Sequence, residues 1–470
     1  MKVNIKKITA LTLAVLTLGA SVSCGEEKPE DMSDSQEETQ EDTPQDGKIK
    51  ITMGMPGINQ LLMPYIVDFN NTSDEYEIEI VNYAEQVEDD ADGSKALRAL
   101  QLDMATDKAP DIIGLAPLYM AELLQKDVLA DMYELMDSCD GVKREDFLPN
   151  VLEGFDVNGE IPAVSYSFFI RTAVAKTKFV GDDAESWTPE QAIAAFEEYS
   201  SDMQFLGVDS HSYRPSDYML FKAANSCVSL EDYTCDFSES DFITMLEYLK
   251  NHPEALTEKP VLEDMTDDEI DVFFQELGRE YYDDESLVKD LIISGINQSM
   301  GYSVYAEFGG EEVTYVGYPS DDGNGAYTEA GWMFGISERS PNKEAAWEFI
   351  CFMLSNEGIM DELYERSGGI PVLQKYLDNQ RNNKDTEDHR SIYYPLTLTD
   401  DSEDRVYITD EAVQQLYDYI INVEFEPYTD SRIENMIDEE VAPVLEGDRS
   451  AQECADILNS RISIYLSERQ

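Results

Sequence analysis

The stretch VGYPSDDGNGAYTEAGWMFGISERSPNKEAAWEFICFML, residues 316–354, decides the reading of the fold, because three local structures follow one another in it without a break. Residues 313–318 (VTYVGY) are β-branched and aromatic, which predicts a strand, and the glycine-rich run at 319–325 predicts a change of direction. Tyr327 and Trp332 then flank Gly331, placing two aromatic faces on an exposed segment where the backbone can approach a ligand closely. Ser340 as N-cap and Pro341 at the first helical position predict a helix. Its Ala346, Trp347, Phe349, Ile350, Phe352 and Leu354 make it apolar nearly all round, hence buried.

Outward from this stretch, the N-terminal third alternates. Ile49, Ile51 and Met53 have strand spacing, and Leu61, Leu62, Tyr65, Ile66 and Phe69 have helical spacing, with Pro64 starting or kinking that helix. A second strand follows at 76–83, then a helix with Leu97, Leu100 and Met104 on one face, then the short apolar strand PDIIGL at 110–115 and a further helix. Such alternation predicts a parallel sheet covered by helices, with ligands gathering beyond the carboxyl ends of its strands, here 54–56, 84–86 and 116–119. Residues 159–172, with Pro162, Tyr166, Phe168, Phe169 and Arg171, form an extended crossing segment, and 367–371 (SGGIP) form another. Between them lies a mostly helical region with starts at Thr188, Ser238 and Thr266. The Thr188–Gln191 capping box makes Trp187 a helix-packing residue. The tail holds amphipathic helices, one opening on the Ser450–Glu453 capping box.

These features together resemble the sugar-type (family 1) extracellular solute-binding lipoproteins of ABC importers. The resemblance rests on the Pro110-Asp111-Ile112-Ile113 strand, the Gly317-Tyr318-Pro319 turn with its aromatic segment and the SPNKEAAW helix start, and the SRISIYLSE ending. It implies an α/β, two-lobed periplasmic-binding-protein-like fold of class II type, each lobe a mainly parallel sheet flanked by helices, with several interlobe crossings. The lobes would be 48–165 with 313–366, and 166–312 with 367–470. It also implies carbohydrate capture between the lobes, delivery to ABC permease subunits, and a monomer. The family's Tyr-Asn-Lys motif is replaced here by Ala175-Lys176-Thr177, so no contact is carried over from it.

The 470 residues suit two domains, and 42% apolar content with 27 tyrosines suits globular folding. A net charge of −66 repels phosphate backbones and argues against a nucleic-acid partner; it reads as a solvated acidic exterior. Residues 1–23 have the basic start and short apolar run of an export signal peptide. Val22-Ser23-Cys24 resembles a lipobox, although Ser21 stands where leucine is usual. Cys24 would then carry the acyl groups, palmitate among them, that anchor the protein at the extracytoplasmic face of the cell membrane. Residues 24–47 form an acidic, self-repelling tether. Of the other five cysteines, Cys351 and Cys454 read as core residues, and Cys227 and Cys235 could close a local loop.

Catalysis has no positive signal. The carboxylates are too many to inform, His211, His252 and His389 stand alone, and no HExxH, GxSxG or Walker A pattern occurs. Glu88, Asp90, Asp92 and Gly93 match the first half of a calcium loop, but Ala99 stands where the bidentate glutamate belongs, so neither metal nor cofactor is expected. A sugar site needs flat aromatic faces and a few polar groups. Trp332, then Tyr302, Tyr327 and Tyr305, supply the first, with Arg171, Glu85, Gln86, Asn59 and Tyr119 as polar partners. Two other readings stay open on the sequence: a secreted polysaccharide-acting hydrolase, and a non-transport surface receptor of the same fold.

Overall fold

The computed structural model describes residues 47–88, 93–120, 123–124, 128–181, 186–199, 202–206, 215–230, 232–238, 241–252, 265–266, 270, 280–296, 304, 307–320, 325–360, 369–382, 391–393, 405–407, 409–426 and 430–468. Strands β1 (Ile49–Met55), β2 (Tyr76–Asn82), β3 (Ile112–Leu115), β4 (Ala163–Ser165) and β5 (Ser167–Lys176) come first. Next are β6 (Gln204–Leu206), the small hairpin of β7 (Val228–Ser229) and β8 (Thr234–Cys235), and β9 (Ser286–Ile293). Then follow β10 (Val313–Thr314), β11 (Tyr327–Ala330), β12 (Met333–Ile336), β13 (Ile370–Pro371) and the pair β14 (Ser391–Tyr393) and β15 (Arg405–Tyr407).

The alternating N-terminal pattern folds as its spacing requires. The first sheet has the order β2-β1-β3-β12-β4, with β1 parallel to both β2 and β3. Ile51, Met53 and Met55 of β1 are buried, and helices Met63–Thr72 and Ser94–Met104 cover the sheet through Ile66, Phe69, Leu97 and Leu100. Pro64 sits in the first turn of its helix, where its missing N–H costs nothing. The late strand β12 then enters antiparallel between β3 and β4.

The second sheet departs from expectation. β5 is its organising strand and pairs antiparallel with β9, β10, β11 and β13, while among this sheet's described pairs β6 and β9 alone run parallel. It is therefore a mixed sheet rather than a mainly parallel one, because the chain returns to β5 from later crossings instead of through helical βαβ connections. Alternation along β5 divides two cores. Phe168, Ile170 and Val174 join the core that continues beneath the first sheet, whereas Ala173 and Ala175 face the helices Pro189–Tyr199, Pro215–Asn225, Asp241–Asn251, Ser431–Leu445 and Ala451–Ser467. Helix Asp410–Asn422 packs in the first core through Val413, Leu416 and Ile420, and Tyr419 on it stacks on Tyr315 at 4.7 Å.

The organising stretch is more ordered than its glycines suggest. The strand expected over 313–318 stops at Thr314, since Gly317 turns the chain with φ +67° and its N–H bonds to Ala173 O. A methyl on Gly317 would lie 2.4 Å from Gly325 O, so the two glycines close the turn by backbone contact. Residues 327–336 are not an exposed loop but two strands, β11 in the second sheet and β12 in the first. The following helix is buried as expected but begins at Lys343 with Asn342 as N-cap, two residues later than Ser340-Pro341 predicts. Ser340 is diverted: its hydroxyl donates to buried Asp111 at 2.6 Å while accepting the Asn342 N–H at 3.0 Å. Trp187 packs against Phe205 and donates to Gly317 O at 3.0 Å, the packing role read from its capping box. Cys227 and Cys235 are both free thiols turned to different helices, and no disulfide closes their loop.

Candidate functional site

The strand registers define one rim. β1, β2 and β3 end on the same side at Met55, Asn82 and Leu115 because they are parallel. Antiparallel β12 brings its start, Met333, opposite Leu115, and β4 brings its end, Ser165, opposite Met333. At this rim the chain crosses between the sheets three times: through Tyr166 from β4 to β5, back through Gly331-Trp332 from β11 to β12, and through Gly369 into β13. All three crossings stack on residues 165–168. Gly331 N–H donates to Ser167 O at 2.8 Å, and a methyl on Gly331 would lie 2.5 Å from Ser167 Oγ. Gly369, at φ +114°, is also tight against Ser167: a methyl on it would lie 2.9 Å from Ser167 Cβ. Ser165 Oγ donates to Ser167 O at 2.7 Å and fixes the bend between the two strands.

Trp332 stands at this crossing. It is half-buried, yet its indole nitrogen is fully buried and has no hydrogen-bond partner among the described residues. That nitrogen lies over Gly114, where a methyl would come within 2.9 Å of it and 2.6 Å of Met53 Cε. The polar atom thus faces the sheet, and what Trp332 leaves accessible is carbon. Tyr327 and Arg171 are cross-strand neighbours on β11 and β5, both half-buried on one face of the second sheet.

The remaining candidates line the same rim in the first sheet but differ in availability. Asn59 follows β1 with its side chain engaged, Oδ1 accepting the Leu61 N–H at 3.0 Å. Glu85 and Gln86 are exposed on the single turn Tyr83–Gln86 after β2, and Glu85 accepts from Asn82 Nδ2 at 2.8 Å. Tyr119 is half-buried in the turn Pro117–Met120 after β3. Tyr302, Tyr305 and Cys24 lie outside the described residues, as do Asp90 and Asp92 of the partial calcium pattern.

The structure adds residues that the sequence reading passed over. Register places Phe169 and Glu329 opposite each other on the face that carries Tyr327 and Arg171. Glu434, on helix Ser431–Leu445, is held above the ordinary carboxylate range by burial, and by Asp438, Asp430 and Glu329 around it, while Arg171 opposes the shift. Tyr166 sits in the first crossing, its phenol pushed up to about 12 by burial. Phe169 and Tyr166 were visible within the crossing segment; Glu434 gave no signal, being one carboxylate among 99 acidic residues.

Two α/β units joined by three strand crossings, with candidate ligand groups gathered where the crossings meet the carboxyl ends of the parallel strands, define a hinged, two-lobed binding fold. The chain belongs to the family of bacterial extracellular solute-binding proteins, whose family model matches residues 65–389. It resembles, at 15% identity and a TM-score of 0.56, the sugar-binding protein MalE from the phytopathogen Xanthomonas citri, over 90% of this chain and 98% of that one. An extracellular solute-binding protein family 1 from Alicyclobacillus acidocaldarius superposes with TM-score 0.54 at 14% identity, covering 89% of this chain and 99% of its own. The cyclic alpha-maltosyl-1,6-maltose binding protein from Arthrobacter globiformis gives TM-score 0.51 at 13% identity over 90% and 100%. At such identities the likeness is one of fold. Comparison with curated proteins gave no match. Family membership makes this an extracytoplasmic binding protein and not an enzyme.

Proposed function

We propose that the protein captures a carbohydrate, an oligosaccharide in particular, between its two lobes and presents it as a monomer to the permease subunits of an ABC importer. The observation that carries this reading is Trp332: a half-exposed indole at the crossing rim whose N–H is turned into the sheet, so that it offers carbon surface for stacking on the C–H face of a sugar ring. Tyr327 and Arg171 stand on the neighbouring sheet, and Glu85, Gln86 and Tyr119 at the ends of the first-sheet strands, as groups able to fix hydroxyls. The sugar-binding names of the Xanthomonas citri and Arthrobacter globiformis proteins favour the same class of ligand. The change of strand pairing between the sheets favours lobe boundaries near 165–167, 330–333 and 369–370. Closure about these crossings is a hinge motion that ligand selects. The apolar run of the leader and Val22-Ser23-Cys24 favour acylation of Cys24 as the membrane tether.

Thermal unfolding against mono- and oligosaccharides, amino acids and short peptides tests the reading. A ligand at a hundred times its dissociation constant adds about 2.7 kcal/mol, a shift of a few degrees. Stabilisation by one class of sugar, without turnover, is the expected result; stabilisation by peptides alone would replace the carbohydrate assignment while keeping the binding fold.

A further inference from the structure

Cys139 and Cys351 are 212 positions apart in the sequence and belong to the same core, Cys351 within it and Cys139 packed against it. Cys139 closes helix Met132–Ser138 as its C-cap, half-buried, with its N–H bonded to Leu135 O at 2.9 Å. Cys351 is buried in helix Lys343–Ser355 and turned towards the loop that leaves Cys139. Its sulfur accepts the Val142 N–H at 3.3 Å and fills the space where a side chain on Gly141 would be, only 2.6 Å from that residue's would-be Cβ. Lys143 holds the same loop down, its ammonium donating to the carbonyls of Met136 and Cys139. The Cys351 sulfur therefore rests against a loop that starts at Cys139. Cys227 donates to Ala223 O at 3.2 Å, and Cys235 contacts Ser463 Oγ at 3.3 Å.

We propose that Cys139 and Cys351 are a redox pair, a dithiol that closes into an intrachain disulfide when the extracytoplasmic protein meets a small-molecule disulfide. In the first step the Cys139 thiolate attacks one sulfur of the oxidant R–S–S–R, forming a mixed disulfide and expelling one R–S⁻. In the second the Cys351 thiolate attacks the Cys139 sulfur, forming the Cys139–Cys351 bond and expelling the second R–S⁻. The two protons lost by the cysteines end on the two released thiols, and the two electrons reduce the oxidant. Cys139 is the entry point because it is the less buried. Burial pushes the Cys351 thiol up to about 12, with Cys139 and Glu348 adding to the shift while the Val142 N–H and Lys143 oppose it, so the second step is slow at neutral pH and quickens as pH rises. The bond would fasten the Cys139 loop to the buried helix and close a loop of more than two hundred residues.

The test treats the full chain with glutathione disulfide at pH 7 and pH 9, blocks remaining thiols, and maps peptides by mass spectrometry without reduction. The expected result is a peptide pair joined through Cys139 and Cys351, 2 Da lighter than its reduced parts, forming faster at pH 9. A rise in Tm of about 5 °C should accompany it and be reversed by reductant. In Cys351→Ser, Cys139 should stop at the mixed disulfide with glutathione; in Cys139→Ser, Cys351 should stay reduced. A Cys227–Cys235 or other pairing, or full retention of free Cys139 and Cys351 at pH 9, would overturn the proposal.

Discussion

Replacing Asp111 by alanine should destabilise the first sheet far more than removal of one surface carboxylate. Asp111 is buried and accepts four hydrogen bonds: from the Thr52 N–H and hydroxyl, both at 2.8 Å, from Ser340 Oγ at 2.6 Å and from Asn342 Nδ2 at 3.2 Å. These donors come from β1 and from the turn that leads into helix Lys343–Ser355, so one carboxylate joins three segments distant in sequence. Alanine leaves the Thr52 N–H and the Ser340 hydroxyl without acceptors in a site too enclosed for free hydration. At about 1–3 kcal/mol for each buried donor left unsatisfied, the loss is about 3–5 kcal/mol. For a two-lobed chain of this size that corresponds to a fall in Tm of roughly 3–6 °C. Asp111→Asn keeps the shape and one acceptor oxygen, and should lose about half as much. Differential scanning calorimetry without ligand is the direct assay. A loss under about 1 kcal/mol for Asp111→Ala would refute the view that this carboxylate organises the junction.

Trp332→Ala should weaken sugar binding by about thirtyfold, roughly 2 kcal/mol, in isothermal titration, and an unchanged affinity in a folded variant would remove Trp332 from the site. Gly331→Val should act on the hinge, because its Cβ alone would stand 2.5 Å from Ser167 Oγ. The expected outcome is a loss of about 1–3 kcal/mol in stability together with altered closure by small-angle scattering, whereas wild-type behaviour would mean that the crossings separate easily. On the second lobe, buried Lys176 pairs with Asp284 at 2.6 Å and Glu311 at 2.8 Å, and Lys178 bridges the same two carboxylates. Burial pushes Asp284 up, but the two lysines outweigh it and leave the carboxyl below its usual value; Glu311 is lowered by its bond to Lys176 despite burial. Folded values below unfolded ones mean that the stability is complete above about pH 4.3 and drains as pH falls through the lowered values. Lys176→Met should flatten that acid limb in a pH series of urea melts, and an unaltered slope would count against the pairing.

The parts legible in the sequence are those set by short-range periodicity. Ile51 and Met53 alternate, Leu97, Leu100 and Met104 share a helix face, and three strand–helix repeats imply a parallel sheet, which the structure shows in the order β2-β1-β3. The second sheet is not legible in this way beyond the start of the 313–318 strand, since β11 and β13 are four and two residues long and owe their strand character to pairing with β5. No local propensity in Ile370-Pro371 specifies a strand; its partner Ser167-Phe168, some two hundred residues earlier, does. Ser340 shows the same limit from the other side. Its N-cap pattern before Pro341 is locally sound, but the buried carboxylate of Asp111, just before β3, competes for the hydroxyl and moves the helix start to Lys343. For the site, Trp332 and its flanking glycine stand out by composition alone, whereas Glu434 becomes visible only when a helix of the tail is seen packed near Arg171.

The crossing that carries Trp332 also explains why hinge and ligand contact belong together in the proposed mechanism. β11 and β12 are one continuous ribbon in which Tyr327 pairs with Arg171 in the second sheet, and Trp332, five residues on, covers Gly114 in the first. The only residue between the last strand position of one sheet and Trp332 is Gly331, pressed against Ser167 where β5 begins. A ring stacked on Trp332 and hydrogen-bonded to Arg171 would therefore touch both sides of this two-residue link between the sheets. Its binding energy would then depend on the angle at Gly331, and such differential contact is what allows a ligand to select one lobe arrangement over another. A ligand held by Trp332 alone would bind open and closed forms alike and shift neither.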